Sequence, residues 1–245
     1  MNLLKIFFTA SLFAASLPAT EARTPVLLEL FTSEGCSSCP SADRLLESFD
    51  RTQPVPGADL IVLSEHVDYW NGLGWKDPFS SQQFTNRQNV YVRQLHLTSA
   101  YTPQLVIDGR KELVGNDSAG AKVAIEKAIQ RTKIPVILSD GKREGNQIHI
   151  QVDIQSARPG SEIFAAIAEN RMTSHVARGE NGGRTLNHVA VVTSLSSIGT
   201  VGKEGFSRTL DMPVQAGSGA NGLRVVVFVR DRASGDIVGV SQQKI

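Results

Sequence analysis

Apolar residues follow two spacings along this chain, and the change from one to the other divides it. Pro25 to Phe31 is a nearly continuous apolar run, the pattern of a strand covered on both faces. Thr32-Ser33-Glu34-Gly35 breaks it, and Ala42, Leu45, Leu46 and Phe49 then recur at helical spacing between Pro40 and Phe49. Pro40 suits a first helical turn, where an amide proton would have no partner. After a loop rich in Pro and Gly, from Gln53 to Ala58, Leu60-Ile61-Val62-Leu63 forms a second short apolar run. The order strand, helix, strand predicts a parallel pair joined by a right-handed crossover. Residues 67–78 are irregular and aromatic, and the spacing over 79–97 predicts a helix. Leu105-Val106-Ile107, the turn pair Asp108-Gly109 and the run from Glu112 to Gly115 predict a hairpin. Asp117 is placed to cap a last helix running to about Arg131.

Beyond Ile134-Pro135 helical periodicity stops. Short alternating runs recur at 148–154, 162–168, 186–192, 206–212, 223–229 and 237–240, with Gly, Asn and Asp between them. That texture predicts an antiparallel β-sandwich. The expected organisation is therefore an α/β domain over residues 23–133 and an all-β domain over 134–245.

Composition excludes more than it identifies. Hydrophobic residues make up 41% and charged residues 20%, enough apolar side chain for a core. The formal net charge is +1 and no stretch gathers five or six like charges, so no footprint for nucleic acid or anionic lipid is present. Residues 1–22 are read apart: Lys5, an apolar and small-residue run from Ile6 to Leu17, and Thr20-Glu21-Ala22 together make a signal peptide with its cleavage site. The run is shorter than the roughly 20 residues a spanning helix needs. An exported protein, periplasmic or secreted, with no membrane span in its mature chain is the expectation.

Export decides how Cys36 and Cys39, the two cysteines of the chain, are read. A bridge between them closes a very small loop, which constrains the unfolded chain least and makes a poor staple. A dithiol at a helix start suits exchange better, because the thiolate is the nucleophile and unpaired helix-terminal amides stabilise it. Cys36 is the expected attacking sulfur, and Cys39 the resolving thiol that releases a bound substrate.

The segment Phe31-Thr-Ser-Glu-Gly-Cys-Ser-Ser-Cys-Pro40, with Tyr101-Thr-Pro-Gln-Leu-Val-Ile-Asp-Gly109, resembles the thioredoxin superfamily. More narrowly, the chain is similar to the secreted bacterial family numbered 1223 among domains of unknown function. That similarity runs from about residue 25 to the C-terminus and takes in His66 to Trp70, Gly74 to Asp77 and Arg178 to Arg184. The resemblance implies a thioredoxin-like α/β N-terminal domain, and the sandwich expected from the later spacing is taken as immunoglobulin-like. The resemblance also implies a cis Pro103 facing the dithiol, with the Thr102 backbone presented to a peptide substrate. For the narrower family it implies no established activity. The dipeptide Ser37-Ser38 matches neither the typical reductants nor the strong oxidants of the superfamily, so the direction of electron flow stays open.

Other residues carry two readings each. His66 and Asp68 follow the second strand and either move protons or join a metal site there, or are loop residues held by hydrogen bonds. Trp70 and Trp75, with Tyr69, line a substrate groove or pin a long loop. Glu34 is expected to point to solvent, and the Gly-rich stretch from Arg178 to Arg184 is a binding loop or a long hairpin connection. His175 and His188 flank that stretch with a spacing that fits no familiar zinc pattern. The leading function is thiol–disulfide exchange with protein thiols or disulfides and a redox partner protein, with no cofactor beyond the Cys36–Cys39 disulfide. A copper(I)-handling protein using Cys36, Cys39 and His66, and a redox-inactive binding module, are the alternatives.

Overall fold

The apolar run after Arg23 forms β1 (Thr24–Thr32), in a computed structural model that describes residues 23–155 and 157–245. The segment read as a signal peptide lies outside the described residues. Helix α1 (Cys39–Thr52) crosses to β2 (Ala58–His66), which pairs with β1 in parallel from Thr24↔Ala58 to Thr32↔His66. Both strands are covered on both faces: Leu27, Leu28, Leu60 and Leu63 are fully buried, as near-continuous apolar runs require. After α2 (Gln82–Gln94), β3 (Gln104–Ile107) adds antiparallel to the free side of β1, and β4 (Lys111–Val114) folds back on it. Asp108 and Gly109 both take positive φ in that turn, as a tight hairpin demands. The Asp117 carboxylate then accepts from the Gly120 amide at 2.9 Å and caps α3 (Ser118–Ala128).

The second half of the chain contributes β5 (Ile137–Glu144), β6 (Gln147–Ile154), β7 (Glu162–His175), β8 (Thr185–Thr200), β9 (Phe206–Pro213), β10 (Leu223–Arg230) and β11 (Ile237–Lys244). Their arrangement corrects the expected fold class. Instead of a thioredoxin-like α/β domain followed by a separate immunoglobulin-like sandwich, one mixed eight-stranded sheet runs through both halves in the order β11-β10-β7-β8-β2-β1-β3-β4. The join is β8, which meets β2 in parallel at Ser64↔Val191. Strand β2 would otherwise present an open edge, and β8 covers it. A three-stranded sheet, β5-β6-β9, packs on the large sheet through Ile148, Ile150 and Val152 against Ile163, Ala165, Val225 and Val227. The opposite face of β7 and β10, with Ala166, Ala168, Val226 and Phe228, belongs to the same core as β1, β2 and α1.

A buried polar cluster ties α2 to that shared sheet. Arg87 donates through Nε to Glu29 at 2.6 Å, Tyr91 donates to the other Glu29 oxygen, and Glu65 lies 3.4 Å from Arg87 Nε. The Arg87 guanidinium also lies 4.9 Å from the Phe228 ring centroid and 5.5 Å from that of Phe164. Burial, with the Glu29 charge beside it, lifts the Glu65 carboxyl well above the usual carboxylate range despite the opposing Arg87 charge.

A buried dithiol loop over an ionisable cluster

Cys36 and Cys39 form a disulfide with Cα atoms 5.4 Å apart. Helix α1 begins at Cys39, so Cys36 sits a turn ahead of it rather than inside its first turn. The Cys36 amide donates to the Ser33 carbonyl and the Cys39 amide to the Cys36 carbonyl, both at 3.2 Å. Ser37 and Ser38 are exposed, yet Cys36 is 1% exposed and Cys39 0%.

The connection between β7 and β8, residues 176–184, is hydrogen-bonded onto this loop. Asn181 is fully buried, and its side-chain amide donates to the carbonyls of Glu34 at 2.8 Å and Cys36 at 2.9 Å. The Glu180 carboxylate accepts from the Ser37 amide at 3.0 Å, a bond that holds this exposed acid below the usual carboxylate range. Gly179 has positive φ and packs against Trp75, where a Cβ on it would come within 3.2 Å of the Trp75 Cβ.

Beneath the loop lies a cluster of ionisable groups sealed from water. Glu34 accepts from Trp75 Nε1 at 2.7 Å and from the Ser174 hydroxyl, and lies 3.2 Å from His188 Nε2. Asp43, one helical turn after Cys39 and on the same buried side of α1, accepts from Thr32 at 2.9 Å and faces His188 Nδ1 at 3.6 Å. Desolvation by burial raises its pKa, outweighing the pull of His188, His66 and Thr32. His66 meets Asp77 at 2.7 Å and stands edge-on to His188 with ring centroids 4.7 Å apart. Burial disfavours the His66 imidazolium, but the Asp77 charge and hydrogen bond, with Asp43 and Glu34, raise its pKa overall. Burial likewise works against the Asp77 carboxylate, and His66 with the Glu34 and Phe79 amides nonetheless lowers its pKa. His188 thus bridges the two carboxylates, with Nε2 within hydrogen-bond reach of Glu34 and Nδ1 facing Asp43 without a hydrogen-bond partner.

The other residues singled out from the sequence divide. The Thr102–Pro103 peptide is cis, and Gly115 seats Pro103 against the first turns of α1, since a Cβ on that glycine would fall within 3.0 Å of Leu30, Pro103 and Ala42. Trp70 donates to the Thr102 hydroxyl at 2.8 Å. Asp68 is turned away to α2, where its carboxylate accepts from Thr85 at 2.6 Å. His66 engages Asp77 instead of the cysteines, and among the described residues no group of three His, Cys, Asp or Glu side chains is placed to hold a metal ion. No described helix is long and apolar enough to cross a membrane.

Residues 27–230 match the family described as a protein of unknown function (DUF1223). The chain belongs to this family. A solved structure from Agrobacterium tumefaciens, a structural genomics target, is 30% identical over 91% of this chain and 95% of its own, with a TM-score of 0.70. A DUF3823 family protein from Bacteroides ovatus is 14% identical over 46% of this chain and 53% of its own, with a TM-score of 0.30. No curated protein matches.

In this DUF1223 member the site residues missed from the sequence are Asp43, Asp77, Ser174 and Asn181, and His188, noted there only for a spacing that fits no zinc pattern, joins them. Glu34, expected in solvent, is fully buried, because Trp75, Ser174 and His188 supply it with partners. One signal was legible: a carboxylate at position 43 falls between Ala42 and Leu46 on the apolar side of a helix, one turn after Cys39.

Proposed function

We propose that this DUF1223 protein is an exported thiol–disulfide exchange protein acting through Cys36 and Cys39, with Asp43 and His188 handling the proton of Cys39. In the reducing direction, the Cys36 thiolate attacks a substrate disulfide, forms a mixed disulfide and expels one substrate thiolate. Cys39 then loses its proton toward Asp43 or His188 and attacks Cys36, releasing the second substrate thiolate and leaving Cys36–Cys39 oxidised. The oxidising direction runs the same steps backward. The observation that carries this reading is the cluster itself: a staple has no use for three carboxylates and two histidines sealed beneath it, whereas a buried thiol that must ionise needs a proton acceptor within reach. Thr102, whose hydroxyl accepts from Trp70, supports a peptide-binding edge there. Because both sulfurs are covered, exchange requires residues 176–184 to lift from the loop.

The test is insulin reduction or oxidative refolding by the folded Cys36→Ser variant. Loss of turnover is the expected result, and turnover equal to wild type would end the proposal.

Burial of both sulfurs favours a second reading, a redox-inactive module with a permanent disulfide. The reduction potential separates the two, since structural disulfides fall below about −300 mV.

A further inference from the structure

A groove lies between α3 and the β3–β4 hairpin, with a cavity volume of about 590 Å³. Ile107 pairs with Leu28 in the middle of β1, whereas the dithiol follows the end of that strand, and the groove and the disulfide loop share no lining residue. Its floor is aliphatic: Ile107, Ala119, Val123, Ala124 and Ala128, with Val123 50% exposed. The small side chains of α3 open the space, and the helix gives it a length of about 16 Å.

The rim has the opposite character. Arg110, Lys111, Lys127 and Arg131 all line it. The acids nearby do not neutralise them: Asp108 is committed to Lys133 at 2.8 Å, and Asp236 is shared between Arg110 and Arg131. Among the described residues no carboxylate pairs with Lys111 or Lys127. Binding pockets of this size combine an apolar lining with a few polar groups that fix orientation, and here the charged groups left for a ligand are cations, since the lining acid Asp108 is buried against Lys133. No aromatic side chain lines the groove, so nothing is offered for a base or an aromatic ring to stack on.

We propose that this groove binds a single-chain aliphatic carboxylate, its tail along α3 and its head group between Lys111 and Lys127. An aliphatic tail removes the Val123 and Ala124 surface from water, and the carboxylate meets cations that have no internal partner. This site is independent of the proposed exchange activity.

The experiment is calorimetric titration of the full mature chain with dodecanoate below its micelle concentration, beside dodecyltrimethylammonium, which has the same tail and the opposite charge. Saturable binding of one dodecanoate is expected, with the cation at least tenfold weaker. Val123→Asp places a charge on the floor at a half-exposed position and should weaken dodecanoate at least tenfold. Lys111→Glu with Lys127→Glu, which alters only rim side chains, should do the same if the first variant misfolds. Absence of saturable binding, equal binding of the cationic amphiphile, or unchanged binding by the variants would each overturn the proposal.

Discussion

Asn181 reaches back 145 residues to hold the carbonyl of Cys36, and the same amide also holds the carbonyl of Glu34. One side chain from the β7–β8 connection thus fixes the backbone of the dithiol loop from above. Replacing it by alanine leaves the buried Glu34 carbonyl without a partner and takes one of two bonds from the Cys36 carbonyl, at about 1–3 kcal/mol for an acceptor that water does not reach. Asn181→Ala is therefore expected to lower the urea midpoint. It should also speed reduction of the disulfide by dithiothreitol roughly tenfold, equivalent to about 1.4 kcal/mol off the barrier. Unchanged reduction kinetics in a destabilised variant would mean that residues 176–184 do not gate the sulfurs.

Asp43 separates stability from function. Burial raises its pKa, so its contribution to stability is fully present below the ordinary value of 3.8 and is lost as pH rises through the folded value. Asparagine carries no such cost. Asp43→Asn should gain stability relative to wild type between pH 4 and pH 8 in paired denaturation curves, while resolution of a Cys36 mixed disulfide slows by roughly a hundredfold. A variant that resolves the mixed disulfide at the wild-type rate would remove Asp43 from the proton path.

Much of the first half was legible because its elements are set by local spacing. The run from Pro25 to Phe31, the helical positions after Pro40 and the Asp108-Gly109 turn each carry their own signal, and each appears where expected, within a few residues. The shared sheet was not legible, because alternation in β8 says which residues face inward and nothing about which edge the strand joins. The cluster was hidden for a related reason. His188 and Asn181 meet Glu34 and Cys36 across about 150 residues of chain, and no periodicity encodes such a contact.

The His66–Asp77 pair fixes a pH window. Asp77 is lowered, so its contribution is present above the ordinary 3.8 and lost as pH falls through the folded value. His66 is raised, so its contribution is present below the ordinary 6.5 and lost as pH rises through its folded value. Both operate together between about pH 4 and pH 6.5. Asp77→Asn should cost about 3 kcal/mol at pH 5.5, the scale of a broken buried pair, and less at pH 9, on the side where the His66 contribution is lost. Denaturant melts at the two pH values measure the difference, and an equal cost at both would show that the pair is not charged in the folded protein.

Arg87 provides the strongest test of the shared sheet. Among the described residues it is the one cation set between Glu29 on β1 and Glu65 on β2, and it also covers the rings of Phe164 on β7 and Phe228 on β10. If the two halves of the chain were separate domains, its loss would weaken the first half and leave the second intact. In one sheet with one core, Arg87→Met strands two buried carboxylates and loosens both halves together, by about 3–5 kcal/mol at neutral pH. The cost should shrink at pH 4, because burial makes Glu65 favour its proton and a neutral carboxyl needs no cation beside it. The fluorescence of Trp70 and Trp75 reports the first half, and hydrogen exchange of the β10 amides reports the second. Coincident transitions with a shared loss are expected from a single cooperative unit, and a second half that keeps its wild-type protection would break that unit in two.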